Sequence, residues 1–136
     1  MKKELELKLE QDFPYLFKDL YGDKTKTCIG RGIECGDGWE PIIRRVCFWL
    51  DLYHSDSSIA QSIYFTQIKE KFGKLRIYIN QNYKIVHELI FFYESISIFV
   101  CDVCGQPGEL KYGNLVRTRC DLHKDWTWKE IENGNL

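Results

Sequence analysis

The chain has 136 residues, 44% hydrophobic and 15% aromatic, with 19 Lys and Arg against 20 Asp and Glu and a formal charge of -1. That is enough apolar material for one compact domain with its own core, which excludes a disordered tail. The charge balance excludes a global positive field that gathers phosphates, so any nucleic-acid binding has to be local.

The opening Met1-Lys2-Lys3-Glu4-Leu5-Glu6 alternates charge with Leu and provides no apolar core of a signal peptide, so a cytoplasmic protein is expected. Residues 2–20 carry Leu5, Leu9, Phe13, Leu16, Phe17 and Leu20 mostly at three- and four-residue intervals, which predicts a helix broken or restarted at Pro14. Leu5, Leu7 and Leu9 also alternate, which leaves a short strand open. From Tyr21 to Gly38 a glycine-rich connection follows, with room for a small hairpin around Thr27 to Glu34.

Trp39, Ile42, Ile43, Val46, Leu50 and Tyr53 then form one stripe of an amphipathic helix over 39–53. Its start fits either a capping box on Asp37 and Glu40 or a cap at Gly38, the second being kinder to Pro41. Ile63 to Phe72 and Leu75 to Ile79, joined at Gly73-Lys74, read as a β-hairpin with Leu75, Ile77 and Ile79 toward the core and Arg76 and Tyr78 on the other face. Residues 83–98 predict a second buried helix. The apolar run from Ile85 to Val100 contains His87, Glu88 and Glu94 and is too short to span a bilayer core of about 30 Å, so no membrane partner is expected.

The specific chemistry lies beyond this helix. Cys101-Asp-Val-Cys104-Gly105 and, fifteen residues on, Cys120-Asp-Leu-His123 give C-x2-C and C-x2-H pairs. Three thiolates and one imidazole are the donor set of a closed tetrahedral zinc site, and in a reducing compartment such pairs hold metal rather than form disulfides. Catalytic zinc sites keep a position open, so one structural zinc ion on Cys101, Cys104, Cys120 and His123 is expected. The intervening segment, with turns at Pro107-Gly108 and Gly113-Asn114, supplies the ribbon that brings the two halves together. Three histidines, His54, His87 and His123, are too few for a metal-dependent nuclease once His123 is a ligand. Cys28, Cys35 and Cys47 lack paired spacing and read as ordinary thiols.

Gly30-Arg31-Gly32 and Gly36-Asp37-Gly38-Trp39 lead into a helix N-terminus without the P-loop pattern. With Lys69, Lys71 and Arg76 of the hairpin, Arg31 and this N-terminus would make an anion pocket if the fold joined them. Tyr112, Arg117, Arg119, Lys124, Trp126, Trp128 and Lys129 make the tail the most basic and aromatic segment. Packing of those aromatics on the zinc module outweighs a nucleic-acid face, because Asp121, Asp125, Glu130 and Glu132 dilute the charge.

The segments Gly32-Ile-Glu-Cys-Gly-Asp-Gly-Trp39, Gln67-Ile-Lys-Glu-Lys-Phe-Gly-Lys-Leu-Arg-Ile-Tyr78, Cys101-Asp-Val-Cys-Gly-Gln-Pro-Gly108 and Arg117-Thr-Arg-Cys-Asp-Leu-His123 together resemble a family of small uncharacterised proteins common in phages and prophages. The resemblance runs from about Pro14 to His123 and implies a setting, not a mechanism. It implies an accessory, counter-defence protein that inhibits a host immune protein or sequesters a nucleotide signal. Locally it groups Asp37, Trp39, Lys69, Lys71, Phe72 and Arg76 as one ligand site.

The expected architecture is α+β, two or three helices on a small antiparallel hairpin or sheet, with an α+β core over 1–100 and a zinc-ribbon module over 101–136 packed on it as one structural domain. The expected function is non-enzymatic binding of a host protein or a small anionic ligand. Its rivals are a nucleic-acid-binding zinc protein and an enzyme on a phosphorylated or nucleotide substrate, with Asp37 as base beside Lys69 and Arg76.

Overall fold

A computed structural model describes residues 1–56 and 62–133 of the chain. Its elements are helices α1 (Lys3–Asp12), α2 (Glu40–Asp56), α3 (Lys84–Ile96) and α4 (Trp128–Glu132), and strands β1 (Phe65–Lys71), β2 (Lys74–Ile79), β3 (Glu109–Lys111) and β4 (Arg117–Arg119). The fold is α+β with two separate antiparallel sheets, β1 with β2 and β3 with β4. Among the described residues no helix is long and apolar enough to cross a membrane.

α1 stops ahead of Pro14, which disfavours helical backbone in the residue before it. The segment is a helix rather than a strand, so Leu9 is fully buried while Leu7 faces outward. The same helix buries Glu6, whose Oε1 accepts the Ile33 N–H at 2.7 Å and whose other oxygen accepts the Tyr21 hydroxyl. No hairpin forms at Thr27 to Glu34: Cys28–Arg31 is a 3-10 turn, and Glu34 makes a parallel bridge to Lys69. The Glu34 N–H donates to the Ile68 carbonyl and the Glu70 N–H to the Glu34 carbonyl, both at 2.9 Å. The glycine-rich connection thus gains its order from β1, not from itself.

α2 is preceded by a 3-10 turn over Asp37–Trp39 with no side-chain cap. Asp37 is turned toward the N-terminal segment instead, accepting the Lys2 N–H at 2.7 Å. The hairpin pairs Lys71 with Lys74, so its turn is Phe72-Gly73, one residue earlier than the sequence suggests. Both turn residues have positive φ, 53° and 76°, the signature of a type I′ turn that matches the strand twist. α3 and the 3-10 turn over Ser97–Phe99 that follows it lie against β2 and satisfy it: Glu94 Oε1 accepts the Ile77 N–H at 2.8 Å, and Ser97 Oγ accepts the Leu75 N–H at 3.0 Å. These two buried polar side chains close a strand edge that would otherwise offer unpaired donors. The main core gathers Leu9, Phe17, Trp39, Val46, Phe65, Ile68, Leu75 and Ile90 around this frame. A second small core surrounds Cys101, Val103 and Ile131, packed by Cys104, Cys120, Trp126 and Trp128.

Candidate metal centre

Each pair of ligands sits on a tight knuckle. In the first, the Gly105 N–H donates to the Cys101 carbonyl at 2.9 Å, and Gly105 takes φ 75°, a conformation glycine adopts without strain. In the second, the His123 N–H donates to the Cys120 carbonyl at 3.1 Å. The ribbon β3–β4 then carries the second knuckle back to the first, with the Asp102 N–H donating to the Thr118 carbonyl at 3.0 Å.

The four donors converge: Cys101, Cys104 and Cys120 Sγ and the His123 ring all lie within 4.8 Å of one another. Cys104 and Cys120 Sγ are 3.8 Å apart, and His123 Nδ1 is 3.7 Å from Cys101 Sγ and 3.2 Å from Cys120 Sγ. Zinc bonds of about 2.3 Å to sulfur and 2.0 Å to nitrogen at tetrahedral angles require donor separations of about 3.5–3.8 Å. The 3.7 and 3.8 Å separations match, the 3.2 Å one is shorter, and the group could hold one metal ion, consistent with zinc. Among the described residues it is the one group of Cys, His and carboxylates so assembled.

Burial and neighbouring groups set the protonation of the ligands. Burial, offset in part by the Gln106 N–H and reinforced by Cys101, pushes the Cys104 thiol up to about 11. Burial also opposes ionisation of Cys120, but the His123 N–H, the Cys101 and Cys104 thiols and the Leu122 N–H outweigh it and hold that thiol below its ordinary range. Burial and then Arg119 keep the His123 imidazole below its usual value, in the neutral form that ligates metal. A bound divalent ion would hold its sulfur ligands as thiolates and draw off their protons. Trp126 stands edge-on to the His123 ring, with centroids 4.4 Å apart at 82°, and fixes its orientation.

The knuckles are held by residues whose part the sequence does not announce. The Gly38 N–H donates to the Asp102 carbonyl at 2.9 Å, and the Trp39 indole N–H donates to the Val100 carbonyl at 2.8 Å. A Cβ on Gly36 would overlap the Asp102 carbonyl, and one on Gly38 would overlap the Cys101 carbonyl and the Gly105 nitrogen. The Gly36-Asp37-Gly38-Trp39 segment is thus a backbone clamp on the first knuckle. A second clamp is the hairpin tip: Arg117 pairs with Glu70 at 2.6 Å, and the Thr118 hydroxyl donates to the Gly73 carbonyl. Between the two, Asp102 and Arg119 form an ion pair with side chains 0% and 2% exposed. Burial pushes the Asp102 carboxyl up to about 6 against the pull of Arg119. Arg119 Nη1 also donates to the carbonyls of His123 and Trp126, at 3.0 and 2.9 Å, and so ties the second knuckle to the tail.

Several of the residues grouped for an anion have partners of their own. Lys69 and Arg76 are cross-strand partners, but Arg76 pairs with Glu94 at 3.1 Å. Trp39 is fully buried, and Asp37 pairs with Lys2 at 3.6 Å. Asp37 and Arg76 line different clefts, the first with Trp128 and Ile131, the second with His87 and Phe91. Arg31 and Lys71 are exposed, Arg31 at the end of the 3-10 turn and Lys71 beside the hairpin tip. Cys35 and Cys47 are buried thiols, pushed upward by desolvation, Cys35 to about 12, and Cys28 is exposed.

No family model matches the chain, and no curated protein or solved structure matches it either.

Proposed function

We propose that the protein is a small zinc-containing binding protein of a phage or prophage setting, which engages a host protein and catalyses no reaction. The observation that carries this reading is the closed donor set of Cys101, Cys104, Cys120 and His123 within 4.8 Å. Four protein ligands, three of them thiolates, leave no position for substrate or for an activated water, so the ion serves the ribbon's stability.

Several further observations support a protein partner over the rival readings. A small anion would need cations turned to one cleft, yet Arg76 is engaged by Glu94 and Asp37 opens elsewhere. A nucleic-acid face on the ribbon would draw on Arg117 and Arg119, which are held by Glu70 and by buried Asp102. Asp37 as a general base would first have to leave Lys2.

The deciding experiment is native mass spectrometry of the protein purified from cells, followed by pull-down from host lysate. One zinc per chain with no other retained mass is expected, together with a captured host protein that a Cys104→Ser variant loses along with the metal. A retained nucleotide-sized mass would replace the protein partner by ligand sequestration, and a folded chain without zinc would overturn the reading.

A further inference from the structure

The outer face of the β1–β2 hairpin carries a charge arrangement that packing does not account for. Successive residues of a strand turn to opposite faces, so Ile68, Leu75 and Ile77 enter the core while Lys69, Lys71, Lys74 and Arg76 turn outward. The register sets Lys69 opposite Arg76 and Lys71 opposite Lys74, two like-charged pairs in succession. Like charges directly opposite one another destabilise a hairpin, and this concentration of cations stands in a chain of net charge -1. Glu94 and Glu34 adjoin the face. Glu94 is buried and divided between Arg76, at 3.1 Å, and the Ile77 N–H. Glu34 is bridged beside Lys69, with its carboxylate 3.5 Å from the Gln67 amide. Among the described residues Lys69, Lys71 and Lys74 form no ion pair. Lysines on a strand edge guard it against pairing, but these stand on a face, and the free edge of β2 is already closed by Glu94 and Ser97.

Aromatic rings border the same cations. Tyr78 and Phe91 are 42% and 63% exposed, and both line a groove of about 410 Å³ between β2 and α3, whose walls include Arg76 and His87. Lys74 Nζ stands 5.0 Å from the centroid of the Phe91 ring. On the other side of Tyr78 a second cleft, lined by Asp19 and Asp23, ends the basic surface. Two features select the occupant. Lys69 and Lys71 are spaced by two strand residues, about 6.5–7 Å, so the positive charge runs along the hairpin instead of converging on one point. That distribution is complementary to a linear polyanion. The exposed rings beside it are surfaces on which unpaired bases stack, whereas bases within a duplex are already stacked on one another. An acidic peptide would meet the cations and leave the rings without partners.

We propose that this face binds single-stranded nucleic acid, with Lys69, Lys71, Lys74 and Arg76 along the phosphates and Tyr78 and Phe91 against the bases. The face contains none of the metal ligands and rests on neither the zinc reading nor the protein partner proposed above. Fluorescence anisotropy of a labelled oligothymidylate of about 15 nucleotides, titrated with the zinc-loaded, full-length protein at several salt concentrations, tests it. Saturable binding is expected, with affinity falling by about two to three decades per decade of salt, the slope of three or four phosphate contacts on a single strand. Lys69→Ala and Lys71→Ala are each expected to weaken binding and to flatten that slope by about 0.7. Tyr78→Ala and Phe91→Ala are expected to weaken it by about tenfold with the slope unchanged. Lys124→Ala, on the exposed tail, is expected to leave affinity and slope as they are. Circular dichroism and zinc content equal to the parent's confirm that each variant is folded. No binding at about 50 mM salt overturns the proposal, as does affinity indifferent to the four substitutions on the face. Equally tight binding of polyglutamate would make the face a site for acidic protein segments and overturn it too. So would equally tight binding of the duplex with oligoadenylate, or a loss on Lys124→Ala equal to that on Lys71→Ala.

Discussion

Gly36 and Gly38 have ordinary negative or unremarkable backbone angles and are glycine for want of space, since the knuckle carbonyls of Asp102 and Cys101 occupy the volume a methyl group would take. Gly36→Ala is expected to cost about 3 kcal/mol or more, at the upper end for overpacking, because backbone on both sides must move. Its zinc affinity should fall with its melting temperature, which a chelator competition read beside thermal denaturation would establish. A buried ion pair obeys a different rule: removing one partner strands the other charge without solvent. Arg119→Met is expected to destabilise by about 3–5 kcal/mol on that ground, and Asp102→Asn combined with Arg119→Met should be milder than Arg119→Met alone in denaturant unfolding. Glu6 contributes to the pH dependence in the same sense as Asp102. Burial raises its pKa above 4.5 despite the Ile33 N–H, so the folded chain holds the proton more tightly than the unfolded one. Its favourable contribution is complete below the ordinary carboxylate range and is lost as pH rises through the folded value. Glu6→Gln, which keeps an acceptor for Ile33, should therefore gain stability relative to the parent as pH goes from about 4 to about 7. A difference that stays constant over that range would refute the assignment.

At the scale of the elements, the hairpin tip joins local strain to tertiary purpose. Phe72 sits at φ 53° and is 76% exposed, a left-handed conformation that costs a non-glycine residue about 1–2 kcal/mol. Asn-Gly is the pair a type I′ turn prefers, so Phe72→Asn is expected to raise stability by about 1 kcal/mol with the zinc content unchanged. Thermal melts of the two proteins compare them directly. The helices and the hairpin were legible in the sequence because their periodicity is written in the residues that bury them: Ile42, Ile43, Val46 and Leu50 on α2, Leu75 and Ile77 on β2. The metal ligands were legible because a two-residue spacing is itself a geometry. The clamps were not. A glycine needed for close approach looks like a turn glycine until the segment it approaches is known, and Cys101 lies more than sixty residues beyond Gly38. Arg117 and Arg119 stood out in the sequence only as part of its most basic segment for the same reason, since their partners Glu70 and Asp102 are distant or hidden within a metal motif. The glycine segment and the hairpin are linked in space directly, by the Glu34 bridge to β1, and again through the ribbon that both of them hold.

The whole molecule is then two cores joined by those clamps, and the ion's influence should travel along them. The small core around Cys101, Val103 and Ile131 is too slight to hold the knuckles alone, so metal binding supplies what packing cannot. Chelation is expected to release amide protection first over 98–128. It should then spread to Gly38, whose N–H reaches the Asp102 carbonyl, and to the hairpin tip at 70–73, where Arg117 and Thr118 dock. The stretches over 42–50 in α2 and 86–94 in α3 rest on the main core and should keep their protection. Hydrogen exchange of the zinc-loaded and chelated proteins separates these regions. If 98–128 exchanges alike in both, zinc is not a structural element of the ribbon. If the whole chain loses protection at once, the clamps carry so much of the stability that the two cores fold as one cooperative unit.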